Sequence, residues 1–558
     1  MIRSSIIITF LFIAAVTIAG CGKKTIQSKA DAAYVAEQAA KFAAVTINYD
    51  QSLLDENETE ALKKIVEAAK YMDEIFLRQV YSKNVKIKQA LMASTEPADK
   101  PYQDLFAIMV GPFDRLEEDR PFINKTPKPD GANFYPEDMT KEEFNNWIEA
   151  YPEDKDRFEH TFTIIKRKAD KLAAIPYSEA YKELLEPAAK LLKEAAQLTQ
   201  NESLKKFLNS RADAFSSNDY YQSDKDWMDL DSEIEVVIGP YEVYEDNLFG
   251  YKAAFESFIT IVDPVESKKL EIVAHHLNEL EKCLPIKDEY KNFNRGAESP
   301  VKVVQEVFSA GDTKAGVQTL AFNLPNDERV REEKGSKKVM LKNIAEAKFN
   351  KIYIPISEIV LVDSMRPVLS FERWFTHILM HEFTHGLGPG KLTLPDGTET
   401  TVSKMLKETY SAIEECKADV GGMYTFAYLC KKSVFPIELE KGIYATFLAG
   451  IFRSVRFGAE EAHGKANMIA FNYIFEKGGY VYNEVTEKFA VDDAKIRNAV
   501  SDLLHDLLTI QAEGDYEKAK QMIEHYGQMQ ENMKQVIAKL GDIPVDIKPV
   551  FEVLVNDE

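Results

Sequence analysis

Apolar residues recur at helical spacing along most of the chain, which indicates a largely helical protein. The segments with this spacing are 30–95, 141–223, 368–388, 403–431, 437–456, 458–477, 493–513 and 516–540. Residues 96–138 are instead rich in proline, glycine and aspartate, and this composition predicts loops.

A central stretch, residues 230–325, has a different pattern. Its apolar runs are rich in β-branched and aromatic residues and end at turn residues; they are 233–238, 255–262, 301–308 and 317–322. Such runs predict the main β-sheet. The fold class is therefore α+β, predominantly helical, and a chain of 558 residues is long enough for two lobes.

The amino terminus reads as a secretory signal. Arg3 precedes an apolar run from Ile6 to Ala19, which is too short to span a bilayer comfortably. The sequence Ile18-Ala19-Gly20-Cys21 resembles the lipobox of bacterial lipoproteins. That resemblance implies cleavage before Cys21 and lipidation of this residue; an uncleaved anchor or a plain signal are the alternatives.

Charge and cysteine content narrow the possible partners. The net charge is −22, and it becomes −23 without residues 1–20, which contain one basic residue, Arg3. An acidic chain argues against a nucleic-acid partner and against electrostatic binding to anionic lipid. Apart from Cys21 the cysteines are Cys283, Cys416 and Cys430, which form no disulfide framework.

The sequence His381-Glu382-Phe383-Thr384-His385 points to metal chemistry. On a helix His381 and His385 lie one turn apart on one face, so both imidazoles can reach one ion. Glu382 can take a proton from a metal-bound water. His377 lies one turn earlier and is an alternative ligand, although no glutamate separates it from His381; we interpret it as structural. The competing reading of the whole motif is a helix with solvated histidines.

The segment Glu414-Glu415-Cys416-Lys417-Ala418-Asp419 completes the predicted site. Glu415 can supply a third ligand and leave a fourth position open for water, as catalytic zinc sites do. Asp419, one turn later, can fix the tautomer of a ligand histidine. Glu414 either braces the site or faces solvent, and Cys416 is interpreted as packing. One Zn²⁺ per chain is predicted.

The two motifs together resemble those of the dipeptidyl peptidase III family of zinc exopeptidases. The second motif of that family reads Glu-Glu-Cys-(Arg/Lys)-Ala-(Asp/Glu). The first commonly has one more residue before its second histidine than the five residues found here. The spacing i,i+4 aligns two ligands without a bulge, so this departure is compatible with zinc.

The resemblance extends to three further segments, and it implies their roles. Within Ile238–Asp246, Glu242 would hold the α-ammonium of the substrate and Tyr244 would steady the reacting carbonyl. Asn323 and Asn326 would also bind the amino end of the peptide. His463 would stabilise the transition state. Each residue also has a structural alternative: a core tyrosine, a turn around a proline, a buried helix histidine.

The family's architecture is two lobes around a cleft: a helical lobe with the zinc and a mixed lobe with a β-sheet or barrel. The expected segments are a signal peptide (1–20), a tether (21–29), mostly the lower lobe (30–340), the helical catalytic lobe (341–540) and a terminal strand that returns to the lower lobe (541–558). Residues 30–225 contain no motif that matches.

The function expected from these features is a zinc metallopeptidase that removes dipeptides from the amino end of oligopeptides. The alternatives are a non-catalytic peptide-binding lipoprotein and a zinc peptidase with another cleavage specificity. We expect a lipid-anchored protein of the bacterial cell envelope that faces the periplasm or the exterior. It would be a monomer or a weak oligomer, and the lipid would be its sole membrane contact.

Overall fold

The structure, a computed structural model, describes residues 29–168, 171–293, 300–394 and 396–555. The predicted signal peptide and the lipidation site at Cys21 lie outside these residues. The fold is α+β, predominantly helical and two-lobed, so the predicted fold class is confirmed. No helix in the described ranges is both long and apolar enough to cross a membrane.

The amino-terminal part is mostly helical, with short strands between the helices. Its elements are α1 (Ala32–Ala40), β1 (Phe42–Ile47), α2 (Glu56–Val80), α3 (Asn84–Met92), α4 (Lys100–Met109), β2 (Phe113–Asp114), β3 (Arg120–Pro121), α5 (Lys141–Ala150), α6 (Lys155–Glu159), β4 (Thr163–Lys168), β5 (Lys171–Pro176), α7 (Tyr177–Ala180), α8 (Lys182–Leu198), α9 (Glu202–Ser217) and α10 (Tyr221–Met228).

Three expectations for this part are wrong in detail. The loop prediction for 96–138 misses α4, whose Pro101 lies in the first turn, where a missing N–H costs nothing. The helical prediction for 30–95 misses β1, because this strand forms by tertiary pairing with β15 and not from a local sequence pattern. The helical reading of 141–223 also misses the β4–β5 hairpin.

The central part forms a five-stranded sheet. Its elements are β6 (Ile234–Glu242), β7 (Ala254–Val262), α11 (Pro264–His275), α12 (Leu277–Cys283), β8 (Val301–Gly311), β9 (Ala321–Leu324), α13 (Glu328–Lys334) and β10 (Lys337–Leu341). The strand order is β6-β7-β8-β10-β9, in which the β8–β10 pair is parallel. The fifth strand, β10, lies beyond the predicted 230–325. β9 is an edge strand, so its outer backbone groups have no strand partner among the described residues.

The remaining elements are mainly helices. They are α14 (Lys342–Lys348), α15 (Ile354–Val360), α16 (Phe371–Thr384), β11 (Lys391–Thr393), β12 (Glu399–Thr401), α17 (Val402–Leu406), α18 (Tyr410–Lys431), α19 (Ile437–Val455), α20 (Ala462–Glu476), β13 (Tyr480–Asn483), β14 (Lys488–Val491), α21 (Ile496–Glu513), α22 (Tyr516–Tyr526), α23 (Glu531–Ile537), β15 (Asp546–Phe551) and α24 (Glu552–Val555). The β13–β14 hairpin was not predicted.

The last strand pairs with the first. β15 runs parallel to β1, from Phe42 opposite Asp546 to Ile47 opposite Phe551. A buried ion pair attaches β15 to α14, with Lys348 Nζ 2.9 Å from Asp546 Oδ1. The backbone N–H of Gln318 also donates to Asp546, at 2.6 Å. The first and last strands of the described residues are therefore held together.

Two glycines of α18 face α16 where the two helices pack. A Cβ at Gly421 would lie 2.5 Å from Thr384 Cγ2, and a Cβ at Gly422 would lie 3.0 Å from the backbone nitrogen of His381. Real Cβ atoms essentially never approach within 3.0 Å of another heavy atom. A Cβ at position 421 would therefore force the buried side chain of Thr384 to move.

Gly421→Ala should lower the free energy of unfolding by about 1–3 kcal/mol, because the methyl group overpacks a buried helix interface. Gly450→Ala is the matched control, since there the added Cβ would lie 3.9 Å from Tyr353, an ordinary contact. It should leave stability unchanged or raise it by up to about 1 kcal/mol through helix propensity. Denaturant unfolding measures both, and equal effects would contradict the packing argument.

Candidate metal centre and peptide cleft

Helix α16 presents the first motif at its carboxyl end. The hydroxyl of Ser370 caps the helix by accepting from the N–H of Arg373. Trp374, Leu379 and Met380 are buried against the helical core and hold the helix in place. One turn therefore separates His381 from His385, which directly follows the last residue of the helix.

The imidazoles of α16 converge with a carboxylate of α18. The Nε2 atoms of His381 and His385 are 3.1 Å apart, and Glu415 Oε2 is 3.3 Å and 3.9 Å from them. Ligands about 2.0–2.2 Å from zinc in a tetrahedron lie roughly 3.3–3.6 Å apart, which is close to this triangle.

The chemistry of these atoms also fits a metal ion. Glu415 Oε2 is buried and has no hydrogen-bond partner among the described residues. Both histidines offer Nδ1 to a carboxylate, which places the proton on Nδ1 and directs the lone pairs of the two Nε2 atoms at each other. A cation between these three atoms would satisfy all of them.

Two carboxylates orient the histidines. Asp419 Oδ1 lies 2.8 Å from His381 Nδ1, and Glu414 Oε1 lies 2.9 Å from His385 Nδ1. Burial lowers the pKa of His381, but Asp419 and Glu415 outweigh it and raise that pKa to about 10. The site therefore stabilises positive charge strongly, which favours a cation.

Glu414 is itself held by two further groups. Lys417 Nζ is 2.8 Å from its Oε1, and Gln511 Nε2 donates to its Oε2 at 2.7 Å. Burial raises the pKa of Glu414, but Lys417 and His385 outweigh it and lower that pKa to about 2. The side chain of Glu414 is thus 12% exposed and contacts His385, as the bracing alternative requires.

His377 and Cys416 lie beside the centre without joining it. His377 Nε2 is 3.0 Å from the backbone oxygen of Asp419, and its ring lies against Phe447. Burial lowers the pKa of His377. Cys416 is a buried free thiol.

His463, in the first turn of α20, reaches the same carboxylate from the open side. Its Nε2 is 3.2 Å from Glu415 Oε2, and its side chain is 66% exposed. With His381 and Glu415 it forms a group whose donor atoms lie within 4.8 Å of one another. No described residue hydrogen-bonds its Nδ1, in contrast to His381 and His385. This geometry suits a residue that contacts the substrate better than a permanent ligand.

Glu382 pairs with a residue that the sequence patterns did not indicate. Lys338 Nζ, on β10, lies 2.6 Å from Glu382 Oε2. Burial raises the pKa of Glu382, but the charges of Lys338, His381 and His385 outweigh it and lower that pKa. Glu382 is therefore ionised and able to accept a proton.

A cavity of about 480 Å³ lies beside the free edge of β9. Glu242, Tyr244, Asn323 and Asn326 all line it. Asn326 Nδ2 donates to the backbone oxygen of Tyr241 at 3.0 Å and to Glu242 Oε1 at 3.3 Å. Tyr244 is 79% exposed in the cavity wall. The structure thus brings together Tyr244, for which a role at the reacting carbonyl was predicted, and the three predicted peptide-binding residues.

Sequence analysis missed two acidic residues in this cavity, Glu256 and Asp312. Burial and the charges of Asp312 and Glu242 raise the pKa of Glu256 well above its usual range. Burial and the charge of Glu245 raise the pKa of Asp312 to about 7, against the opposing effect of Arg115. Glu256 lies in a buried strand and Asp312 in a turn, so neither has a recognisable motif. Burial and mutual repulsion disfavour the charged forms of these carboxyl groups, and a bound cation would favour their ionisation.

Comparison with known proteins identifies the class of this site. A sequence model of peptidase family M49 matches residues 140–397. The structure of DPP III from Caldithrix abyssi superimposes on this chain with a TM-score of 0.89 at 59% identity, over 93% of this chain and 99% of that one. Dipeptidyl-peptidase III from Corallococcus sp. strain EGB gives a TM-score of 0.75 at 44% identity, over 95% and 99%.

Two curated relatives are more distant. "Nudix hydrolase 3" of Arabidopsis thaliana is 39% identical over an alignment 577 residues long. The alignment covers 93% of this chain and 74% of that protein. "Dipeptidyl peptidase 3" of Nematostella vectensis is 28% identical over 291 residues, which cover 44% and 38%.

The fold and the site therefore define a metallopeptidase. The chain belongs to the dipeptidyl peptidase III family, peptidase family M49. The predicted family and the predicted enzyme class, a metallopeptidase of the dipeptidyl-peptidase type, are confirmed.

Glu414→Ala should weaken zinc binding about 10–100-fold, because loss of an orienting carboxylate frees the ligand imidazole to rotate. Competition with a zinc chelator measures the dissociation constant. The control is Glu408→Ala, an exposed glutamate shortly before α18, which should leave zinc affinity unchanged. Equal affinities in both variants would show that Glu414 does not orient His385.

Proposed function

We propose that this protein is a zinc dipeptidyl peptidase that removes dipeptides from the free amino end of oligopeptides. The observation that carries the proposal is the convergence of His381, His385 and Glu415 beside Glu382, across the cleft from a cavity suited to an ammonium group. These three residues would hold the zinc. When bound, zinc polarises the scissile carbonyl and lowers the pKa of an attacking water.

The chain's own residues supply the proton transfer. Glu382 takes the proton of the attacking water and passes it to the leaving amine. Glu382 directly follows the ligand His381 on α16, and its carboxylate is ionised and can accept a proton, which supports this role. Tyr244 and His463 stabilise the developing oxyanion by hydrogen bonding. Removal of one such donor typically lowers turnover about 10²–10³-fold.

The amino end of the peptide would bind in the acidic cavity. Its α-ammonium would pair with Glu242 and donate to the side-chain oxygens of Asn323 and Asn326. The peptide backbone would add as a strand to the free edge of β9. A fixed separation between this cavity and Glu382 would then set how many residues leave.

Glu382→Gln should lower kcat on a dipeptidyl-arylamide by about 10²–10⁴-fold, because the amide cannot accept the proton. One zinc per chain and the fold should be retained, as judged by metal analysis and circular dichroism. The control is Glu372→Gln, an exposed glutamate in the first turn of the same helix. Full activity of Glu382→Gln would refute the role. Absence of zinc from wild type prepared without chelators would favour a non-catalytic peptide-binding protein instead.

Glu242→Gln should raise KM about 10–100-fold for an unblocked peptide, the cost of losing a hydrogen bond to a charged group. Glu233→Gln, at an exposed glutamate near the start of the same strand, should leave KM unchanged. Mass spectrometry of the products of one unblocked oligopeptide should detect successive dipeptides, and amino-terminal acetylation should stop cleavage. Cleavage of the acetylated peptide would instead indicate an endopeptidase, and single-residue or tripeptide products another exopeptidase.

We further propose that the enzyme is a monomer or weak oligomer attached to the bacterial cell envelope by lipid at Cys21. The support is the sequence pattern of residues 1–21. Acyl chains provide stable attachment when more than one is present. Cys21→Ser should move the protein from the membrane fraction to the soluble fraction, as measured by fractionation and immunoblotting. Unchanged membrane association of this variant would contradict the anchor.

A further inference from the structure

Lys338 lies in the sheet beside Asn323 and also contacts Glu382, so it connects the amino-end cavity with the metal centre. It lies on β10, directly opposite Asn323 of β9 in the antiparallel register. Residues directly opposite each other in an antiparallel pair project from the same face of the sheet. The neighbouring Lys337 projects to the other face, where it pairs with the buried Glu235. Lys338 is thus the lysine of this strand that faces the cleft.

The ion pair of Lys338 joins the sheet directly to helix α16. Helix α16 packs mainly on α18 and α19, whereas the sheet packs mainly on α2 and on α14, which also contacts α16. Lys338 Nζ and Glu382 Oε2 lie 2.6 Å apart between these two parts, with side chains that are only 26% and 20% exposed. A partly buried pair is screened by salt less than an exposed one, so its attraction acts on the spacing of the two parts.

The contact with Lys338 leaves one oxygen of the Glu382 carboxylate, Oε1, available. Lys338 binds Oε2, and no described residue hydrogen-bonds Oε1. An ammonium that holds one oxygen restricts rotation of the carboxylate, while the second oxygen has no described hydrogen-bond partner. A misplacement of about 1 Å in such a group can cost about 10²-fold in rate.

We propose that Lys338 is a positioning residue that ties the sheet to α16 through Glu382 and thereby sets the distance between the amino-end cavity and the general base. The kinetic part rests on the function of Glu382 proposed above. The structural part, a tether across the cleft of the peptide-free enzyme, does not depend on that function.

The test compares wild type with Lys338→Met, Lys338→Arg and Glu382→Gln. Methionine has similar length without the charge, and arginine keeps the charge. Lys334→Met is the matched control, because Lys334 pairs with Asp229 at 2.8 Å within the sheet-bearing part. Small-angle X-ray scattering of the zinc-loaded, peptide-free enzymes gives the radius of gyration, and steady-state kinetics on an unblocked peptide gives kcat and KM.

We expect a larger radius of gyration for Lys338→Met and for Glu382→Gln, with no further increase in the double variant, because both remove one interaction. The kcat/KM of Lys338→Met should fall about 10–100-fold. Lys338→Arg should restore both readouts towards wild type, and Lys334→Met should change neither.

An unchanged radius of gyration in Lys338→Met would overturn the proposal, whether or not activity falls, because the tether would then be absent. Unchanged kcat/KM in an expanded Lys338→Met would overturn the positioning role. Failure of the proposed general base appears separately, as an active Glu382→Gln enzyme that is nevertheless expanded.

Discussion

The packing of α16 on α18 is the constraint on which the site depends. Two imidazoles one turn apart can hold an ion only if a third ligand approaches within a few ångströms. Gly421 and Gly422 allow the helix that carries Glu415 to come that close. The glycines cost helix propensity, and the tight interface they permit offsets that cost. The metal centre is thus a product of backbone proximity as much as of ligand identity.

Around the contact between α16 and α18, charged side chains hold one another in place. Carboxylates behind the histidines hold the imidazoles in orientation, and Lys417 neutralises Glu414 in turn. On the other side of the cleft, Glu242, Glu256 and Asp312 crowd together in one cavity, where burial and mutual repulsion favour the arrival of a cation. Both groups of carboxyl side chains would therefore be stabilised by a bound positive charge.

The sequence sufficed for the features that local spacing encodes. The i,i+4 histidines, the paired glutamates of the second motif and the long amphipathic helices follow from helix geometry alone. β1, the β4–β5 hairpin and β10 escaped prediction because their partners lie far away in the chain or their residues are too polar to read as a strand. Lys338, Glu256 and Asp312 escaped for a related reason: a lysine or a carboxylate becomes significant only through what faces it in space.

The pairing of β15 with β1 has a consequence for how the enzyme comes apart. The two ends of the chain meet in one small sheet, and the buried charge of Lys348 is neutralised only while Asp546 is in place. Neither lobe can unfold alone without breaking the β1–β15 pairing or leaving the Lys348 ammonium buried without its carboxylate partner. We therefore expect heat denaturation to proceed as one cooperative transition rather than lobe by lobe, and proteolytic trimming of the last strand to loosen the first.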